Sequence, residues 1–404
     1  MTVPHLTPQT VLPYPFSDRP TVLDPPSTLA WVHDEPVLRI TLPSGDGAWL
    51  VTRYDDVRTL LNDRRLTRDL SRPGTPRMSK ENILFQDPNV KLEPPDHPRM
   101  RRLVARAFTA ARVERLRPYT QGVVDEILDG VEAAGPPADL QSTLSFPLAI
   151  RILCELLGVP TEDQKEFTAW AEVYLSLGKY PAAEVAKNDA LLTAYMTDLI
   201  EAKRANPGDD LLSGLIAARD EGSGKLSDYE LFYWAKGLLM GGYETTANHL
   251  GASMVTLLTN PGLLARLRAD PELVPRAVEE MLRIQVLFHS IASLRYVKED
   301  VEVAGTVIPR GAGIILAMES ANYDEAAFPN PSEVDLDRPA RPHLAFSSGP
   351  HHCAGSALAR MELQVGIGRL LARFPTLALA CAPLDLRRAD GVFIEGFVTV
   401  PVTW

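Results

Sequence analysis

Cysteine is scarce: Cys154, Cys353 and Cys381 are the three in 404 residues. They are too few and too scattered for a disulfide framework or a zinc knuckle, which fits a reducing compartment. Long apolar runs are missing as well. Uncharged apolar stretches such as Gly237–Tyr243 fall far short of the roughly 18 residues of a membrane helix. The N-terminus, MTVPHLTPQTVLPYPF, has neither a basic region nor an apolar core, so it is not read as a secretory signal. Basic residues are outnumbered, 41 Lys and Arg against 52 Asp and Glu, for a net charge of −11. A duplex-binding protein needs concentrated positive charge, so nucleic acid is excluded as the main ligand. Internal repeats, low-complexity segments and Gly/Ser linkers are also lacking. The expectation is a cytoplasmic protein with no membrane span.

What is present describes a folded chain. Hydrophobic residues at 45% and charged residues at 23% are ordinary globular values. The length would allow two or three domains at about 150 residues each, but single catalytic folds of this size are common. Residues 1–404 are therefore read as one domain. The first 30 residues are proline-rich and read as an extended surface strap. Val37–Leu42 and Ala48–Thr52 predict a hairpin, and Asp55 a cap for a helix through Leu61. Residues 68–95 read as a long loop. From Pro98 to about Leu263 apolar residues recur at helical spacing, over Val113–Val131, Leu144–Leu157, Phe167–Leu177, Val185–Ile200 and Leu211–Ala217. Ser227 with Glu230 forms a capping-box signature for a helix of roughly 33 residues ending near Thr259. Pro275–Ile284 is a further helix. A period of two then takes over, with Val301, Val303, Val307, Ile314 and Leu316 suggesting a small antiparallel sheet. A last helix, about Gly355–Phe374, precedes a β-like tail. The class is mainly helical with a minor antiparallel sheet.

Four local patterns carry chemistry. Phe346-Ser347-Ser348-Gly349-Pro350-His351-His352-Cys353-Ala354-Gly355 runs directly into a helix. A thiolate there meets the positive end of the helix dipole, and the two glycines permit close backbone approach. An inert buried cysteine is the competing reading. Glu280 and Arg283, at i,i+3, share a helix face. His97 and Arg101, at i,i+4, can point at one anionic group, or form a solvated face. Gly241-Gly242-Tyr243-Glu244-Thr245-Thr246 interrupts the longest helix. Glycines there cost about 1 kcal/mol each, and a threonine hydroxyl can bond back to a carbonyl one turn earlier. A ligand groove with a proton relay, or close packing against a neighbouring helix, accounts for them.

The order and spacing of these patterns resemble the cytochrome P450 family, haem-thiolate monooxygenases of the soluble bacterial type, over essentially the whole chain. The family's Phe-x-x-Gly-x-His/Arg-x-Cys-x-Gly loop is satisfied from Phe346 through Gly349 to Gly355. The resemblance implies that family's single prism-shaped domain and a haem b (iron protoporphyrin IX) with Cys353 as the axial ligand. It implies His351, His97, Arg101 and Arg295 as propionate partners, and Glu244 and Thr245 as the acid and alcohol of oxygen activation. Glu280, Arg283 and Arg338 become a structural triad. Ser347 departs from the glycine usual at that position, and Ala321-Asn322-Tyr323-Asp324-Glu325 lacks an arginine the family often has.

Electrons would come from a ferredoxin and its reductase, with Arg102, Arg106, Arg112 and Arg360 lending the docking face positive charge. By family position the substrate pocket draws on Phe85, Gln86, Tyr174–Leu177, Met240, Thr246, Val286, His289, Ile291, Phe393 and Ile394. Its apolar and aromatic character suits a mid-sized natural product of secondary metabolism, with hydroxylation or oxidative coupling of an aromatic cyclic dipeptide as the specific expectation. Alternatives are a haem-binding sensor or carrier, a peroxide-driven enzyme of the same fold, and a hydrolase pairing Cys353 with His351 or His352.

Overall fold

A computed structural model describes residues 11–78, 93–163, 165–166, 169–170, 173, 180–220, 227–287, 293–389, 392 and 394–404. Its residues gather into two compact units, one of Met1–Pro98 with Leu282–Cys353 and one of Arg99–Met281 with Ala354–Trp404.

The first unit is built on a six-stranded sheet. Strands β1 (Val11–Pro13), β2 (Val37–Thr41), β3 (Gly47–Val51) and β4 (Leu66–Thr67) come from the N-terminal part. After β5, a strand of the other unit's sheet (described below), β6 (Leu294–Val297), β7 (Val301–Val303), β8 (Thr306–Ile308) and β9 (Gly313–Leu316) follow. The order is β1-β2-β3-β9-β6-β4, while β7 and β8 pair separately. The expected hairpin is there: Val37 faces Val51 and Thr41 faces Gly47 in antiparallel register. The expected small antiparallel sheet needs correction. Val301, Val303 and Val307 do form an antiparallel ladder. Ile314 does pair antiparallel with Arg295 of β6, but on the other side Ile314 and Leu316 lie parallel to Trp49 and Val51. All four residues of β9 are buried, the mark of a central strand covered on both faces. Helix α1 (Tyr54–Leu60) starts from Arg53, not from an Asp55 cap; Asp55 sits inside its first turn, where its charge favours the dipole. Tyr54, Val57, Leu66, Val297, Ile314, Phe328 and Leu344 form the unit's apolar core.

The strap is tied to this unit. Its β1 runs parallel to β2, and the Tyr14 hydroxyl donates to Glu319 Oε1 at 2.6 Å. Desolvation pushes the Glu319 carboxyl from 4.5 up to about 7, partly offset by Tyr14. Between those values the folded chain keeps a proton that the unfolded chain has lost. This group's contribution to stability therefore falls as pH rises from 4.5 toward 7. Hydrogen exchange of the strap is expected to quicken over that window, and Glu319→Gln to flatten the dependence; an unchanged profile in Glu319→Gln would refute the assignment.

The second unit is helical. Its members are α2 (Asp96–Ala107, whose first residues belong to the other unit), α3 (Ala110–Ala134), α4 (Phe146–Leu157), α5 (Ala182–Ala205), α6 (Leu211–Asp220), α7 (Asp228–Leu258) and α8 (Pro261–Ala269). Then come α9 (Val274–Ile284), α10 (Met318–Asn322, in the sheet unit) and α11 (Ser356–Arg373). A small antiparallel sheet of β10 (Ala378–Leu379), β11 (Pro401–Thr403) and β5 (Ala138–Asp139) closes the tail. The capping box is formed on both sides: Glu230 N–H donates to Ser227 Oγ at 3.1 Å and Ser227 N–H to Glu230 Oε2 at 2.7 Å. At 31 residues α7 spans about 46 Å.

Contacts along the helices set their directions. Arg117 reaches Gln364, Arg369 pairs with Asp125, and Arg373 with Asp129 and Glu132, so α3 and α11 run parallel. Leu153 packs on Gly242, while Leu148 and Leu250 meet at Gly366, so α4 runs against α7. A π-helical turn, Gln141–Ser145, leads into α4. Cys154 is buried there and its thiol is pushed up to about 12 by desolvation, as befits an inert core cysteine.

Candidate functional site

The cysteine loop is shaped by its own backbone. Leu344 is anchored by an N–H bond to Asn322 Oδ1 at 2.7 Å. Ser347 N–H returns to the Leu344 carbonyl at 2.9 Å and Cys353 N–H to the Phe346 carbonyl at 2.9 Å. The loop thus closes on Phe346 and leaves Cys353 exposed, two residues before Gly355 caps α11. Two positions need a left-handed backbone. Gly349 has φ +71°, and a Cβ there would lie 2.3 Å from Asn62 Oδ1. Ser347 has φ +61°, which gives a physical reason for glycine at that position. The strain of about 1–2 kcal/mol on a non-glycine residue exceeds the roughly 0.5–1 kcal/mol of extra chain entropy glycine brings. Ser347→Gly is therefore expected to raise the denaturant midpoint slightly and Ser347→Val to lower it by well over about 1 kcal/mol; the reverse order would contradict this loop geometry.

Several of the expected basic groups, His97, His351 and Arg295, belong to the sheet unit. The rings of His97, at the start of α2, and His351 lie 4.2 Å apart at 36°. Arg295, on β6, is 4% exposed. Burial first, then the positive charge of Arg68, holds its guanidinium well below the ordinary arginine range, with Glu93 partly offsetting. An anionic ligand group would further stabilise such a buried guanidinium. Arg101 lies one turn beyond His97 on α2 and is half-buried. Among the described residues no cluster of three or more His, Cys, Asp or Glu could hold a metal ion by itself. A metal at Cys353 would therefore bring its own remaining ligands, and carboxylates on that carrier would suit the basic side chains His97, His351 and Arg295. Both features fit an iron porphyrin with propionates.

On α7 the two glycines divide the two sequence readings between them. A Cβ at Gly242 would sit 3.0 Å from Leu153 Cδ1, so close packing explains that residue; one at Gly241 meets no atom of the described residues within 4 Å. Thr245 Oγ1 donates to the Gly241 carbonyl at 2.7 Å, the back-bonding foreseen from the sequence. Gly241 is exposed, and Glu244 and Thr245 are half-buried. The arrangement can hold a carboxyl and a hydroxyl beside an open turn of helix.

The other expected residues have varied fates. Glu280 and Arg283 lie on α9, both buried. Arg283 donates to the carbonyls of Asn322 at 3.1 Å, Pro331 at 2.6 Å and Glu333 at 2.9 Å. Arg338 reaches the carbonyls of Pro329 at 2.5 Å, Asn330 at 3.2 Å and Glu333 at 3.2 Å. The two arginines thus clamp one stretch of backbone. Thr246, Val286 and Ile394 are buried. Phe85, Gln86, 174–177, His289, Ile291 and Phe393, and the side chains of Met240 and Arg106, lie outside the described residues. Arg360, expected on a docking face, is committed to a bidentate pair with Glu279 at 2.6 and 3.0 Å. Arg112 lies 3.8 Å from Asp209, and Arg102 is exposed. Sequence reasoning missed Asn62, which occupies the space beside Gly349, and the buried amides Gln141 and Asn248; only Asn248, one turn after Glu244, carried a local signal. A polar cavity of about 600 Å³, lined by Asp46, Arg72, Thr75 and Arg77 among others, includes none of the expected site residues.

The family model described as Cytochrome P450 matches residues 180–380. Nocardicin C N-oxygenase of Nocardia uniformis subsp. tsuyamanensis is 42% identical over 394 residues, 97% of this chain and 98% of that protein. The crystal structure of a putative thioether synthase, SgvP, involved in the tailoring step of griseoviridin superposes with a TM-score of 0.92 at 41% identity, covering 98% of this chain and 100% of that one. A cytochrome P450 structure described as having biaryl coupling reactivity gives a TM-score of 0.91 at 40% identity, with 98% and 100% covered.

Proposed function

This chain belongs to the cytochrome P450 family, and from that premise we propose that Cys353 is the thiolate ligand of its haem and that Glu244 and Thr245 manage protons for a tailoring oxidation. The enzyme is a haem-dependent monooxygenase of natural-product metabolism, as its relatives are. Haem iron held by a thiolate supplies the oxygen-cleaving and oxidising chemistry when bound. The chain's own residues do the rest. The Phe346–Cys353 hydrogen bond presents the sulfur outward from a closed loop. His97, His351, Arg101 and Arg295 hold the propionates through charge-assisted hydrogen bonds. Thr245 Oγ1 gives up its bond to the Gly241 carbonyl to hold a proton toward the ligand side, and the Glu244 carboxyl resupplies it through water.

The substrate we propose, from the composition of the segments that family position assigns to the pocket, is a mid-sized, partly polar natural product, an aromatic cyclic dipeptide being the specific candidate, and the outcome is hydroxylation or oxidative coupling. Relatives named for N-oxygenation, thioether synthesis and biaryl coupling support that range. Among the described residues no helix is long and apolar enough to cross a membrane. A cytoplasmic enzyme reduced by a ferredoxin and its reductase is the reading we favour, with Arg102 and Arg112 contributing to the docking face.

The observation that carries the proton assignment is the hydroxyl bonded back across the open Gly241 turn beside Glu244. With surrogate ferredoxin and reductase, Thr245→Ala should keep NAD(P)H consumption within about threefold while diverting most of it to hydrogen peroxide. Glu244→Gln should slow consumption about 10²–10⁴-fold, the usual worth of a positioned proton donor. Product yield per NAD(P)H unchanged in Thr245→Ala, together with unslowed consumption in Glu244→Gln, would refute the roles.

A further inference from the structure

A polar seam crosses the apolar interior of the helical unit. Asn248, one turn after Glu244 on α7, donates from Nδ2 to the Glu244 carbonyl at 2.9 Å. Its Oδ1 accepts from Gln141 Nε2 at 3.3 Å, and Gln141 Nε2 also donates to the Phe397 carbonyl at 2.8 Å. Both amides are interior, Asn248 at 7% exposure and Gln141 at 1%. The seam therefore joins three separate pieces of chain: the Glu244 turn of α7, the π-helical turn before α4, and the C-terminal tail.

The backbone is shaped around these side chains. A Cβ at Gly396 would lie 1.7 Å from Asn248 Oδ1, and one at Gly251 would lie 2.4 Å from Gln141 Oε1. Gln141 Oε1 meets no donor among the described residues. A buried acceptor left unsatisfied is a net cost that a leucine of similar size would avoid. What the amide adds is two N–H bonds to acceptors on different elements, which no apolar residue can make.

The tail end of the seam is a stiff turn. Gly396 N–H bonds the Ile394 carbonyl at 3.0 Å and Ala389 N–H the Gly396 carbonyl at 2.8 Å. Arg388 donates to the Glu395 carbonyl at 3.2 Å and stacks over the Phe397 ring at 4.5 Å. Ile394 is 4% exposed. A turn so braced within itself shifts as one body, and its place relative to α7 is set through Phe397, Gln141 and Asn248.

We infer that Gln141 and Asn248 are positioning residues that hold the Ile394–Phe397 turn at a set distance from the Glu244–Thr245 turn of α7, and so determine which part of a substrate faces the acid–alcohol pair. This rests on the monooxygenase reading and extends it to the choice of oxidation site. Neither amide touches the reacting atoms; both act through the elements they join.

The test uses the haem-loaded enzyme and two iron-binding probes of different size, imidazole and 4-phenylimidazole, followed by the Soret shift. Imidazole is too small to report the tail turn. Gln141→Leu should leave its dissociation constant within about twofold while weakening 4-phenylimidazole about two- to tenfold, the equivalent of one ordinary hydrogen bond. The amides of Ala389 and Val398 should exchange faster in the same variant. Should Gln141→Leu fail to fold, Asn248→Ser, which keeps a small polar side chain but cannot span to both neighbours, carries the same expectation. A folded variant whose two probe affinities keep the wild-type ratio overturns the inference. A wild-type enzyme that shifts with neither probe sinks the monooxygenase reading itself, and is told apart because it fails before any substitution is made.

Discussion

Cys353→Ser is expected to fold normally yet lose the red-shifted ferrous–carbonyl absorbance band completely, and with it all turnover. The fold should survive because the loop closes through the Cys353 backbone N–H bonded to the Phe346 carbonyl, a bond that serine keeps. The band should go because a serine hydroxyl is not ionised near neutral pH, whereas a thiolate is accessible and gives the iron its electron density. Two controls sharpen the result. Cys381→Ser should keep the band with unchanged stability. Cys154→Ser, in an apolar helix where the thiol is pushed up to about 12, should cost stability but keep the band. A Cys353→Ser protein with the wild-type band would remove the ligand assignment and everything resting on it.

Arg283→Ala is expected to cost about 3–5 kcal/mol, the range for stripping one partner from a buried charged network. Its guanidinium is 2% exposed, and it satisfies carbonyls from Asn322, Pro331 and Glu333 while lying 5.3 Å over the Phe328 ring. Removal leaves those acceptors without this donor and opens a void in the apolar core. Against a total stability of about 5–15 kcal/mol, much of the expressed protein should be insoluble. Arg283→Lys should rescue little, since an ammonium cannot fork toward three separate carbonyls. Arg338→Ala should cost only about 1 kcal/mol, because that side chain works from the surface. Denaturant midpoints of the three variants check the order, and an Arg283→Ala loss below about 1 kcal/mol would contradict it.

What could be read in advance was local. The Ser227–Glu230 box, the final helix expected at Gly355–Phe374 and found at Ser356–Arg373, and the Thr245 back-bond all depend on residues within one turn of each other. Their signals sit in the contiguous string. The cysteine loop was legible for the same reason: ligand, glycines and following helix are neighbours in the chain. The partner of Ile314 and Leu316 was not legible, because strand pairing across hundreds of residues leaves no local trace beyond alternation, and alternation does not name the neighbour. Nor was the commitment of Arg360 to Glu279, since an arginine on a helix looks the same whether its counter-ion belongs to the protein or to a docking partner.

The amino-acid string by itself determined the chemistry on offer: one thiol placed ahead of a helix, one acid and one alcohol at a weakened turn, and His97 and Arg101 spaced to point at one anionic group or to form a solvated face. Tertiary packing decided how those groups are held. It brought the His97 and His351 rings together, gave Gly242 to Leu153 while leaving the Gly241 side open, and ran an amide bridge from Glu244 to the tail. Covalent order sets which functional groups exist and their reach along one element; which distant segments approach, and how closely, is settled only when the apolar interior closes and each buried polar group must find a partner there.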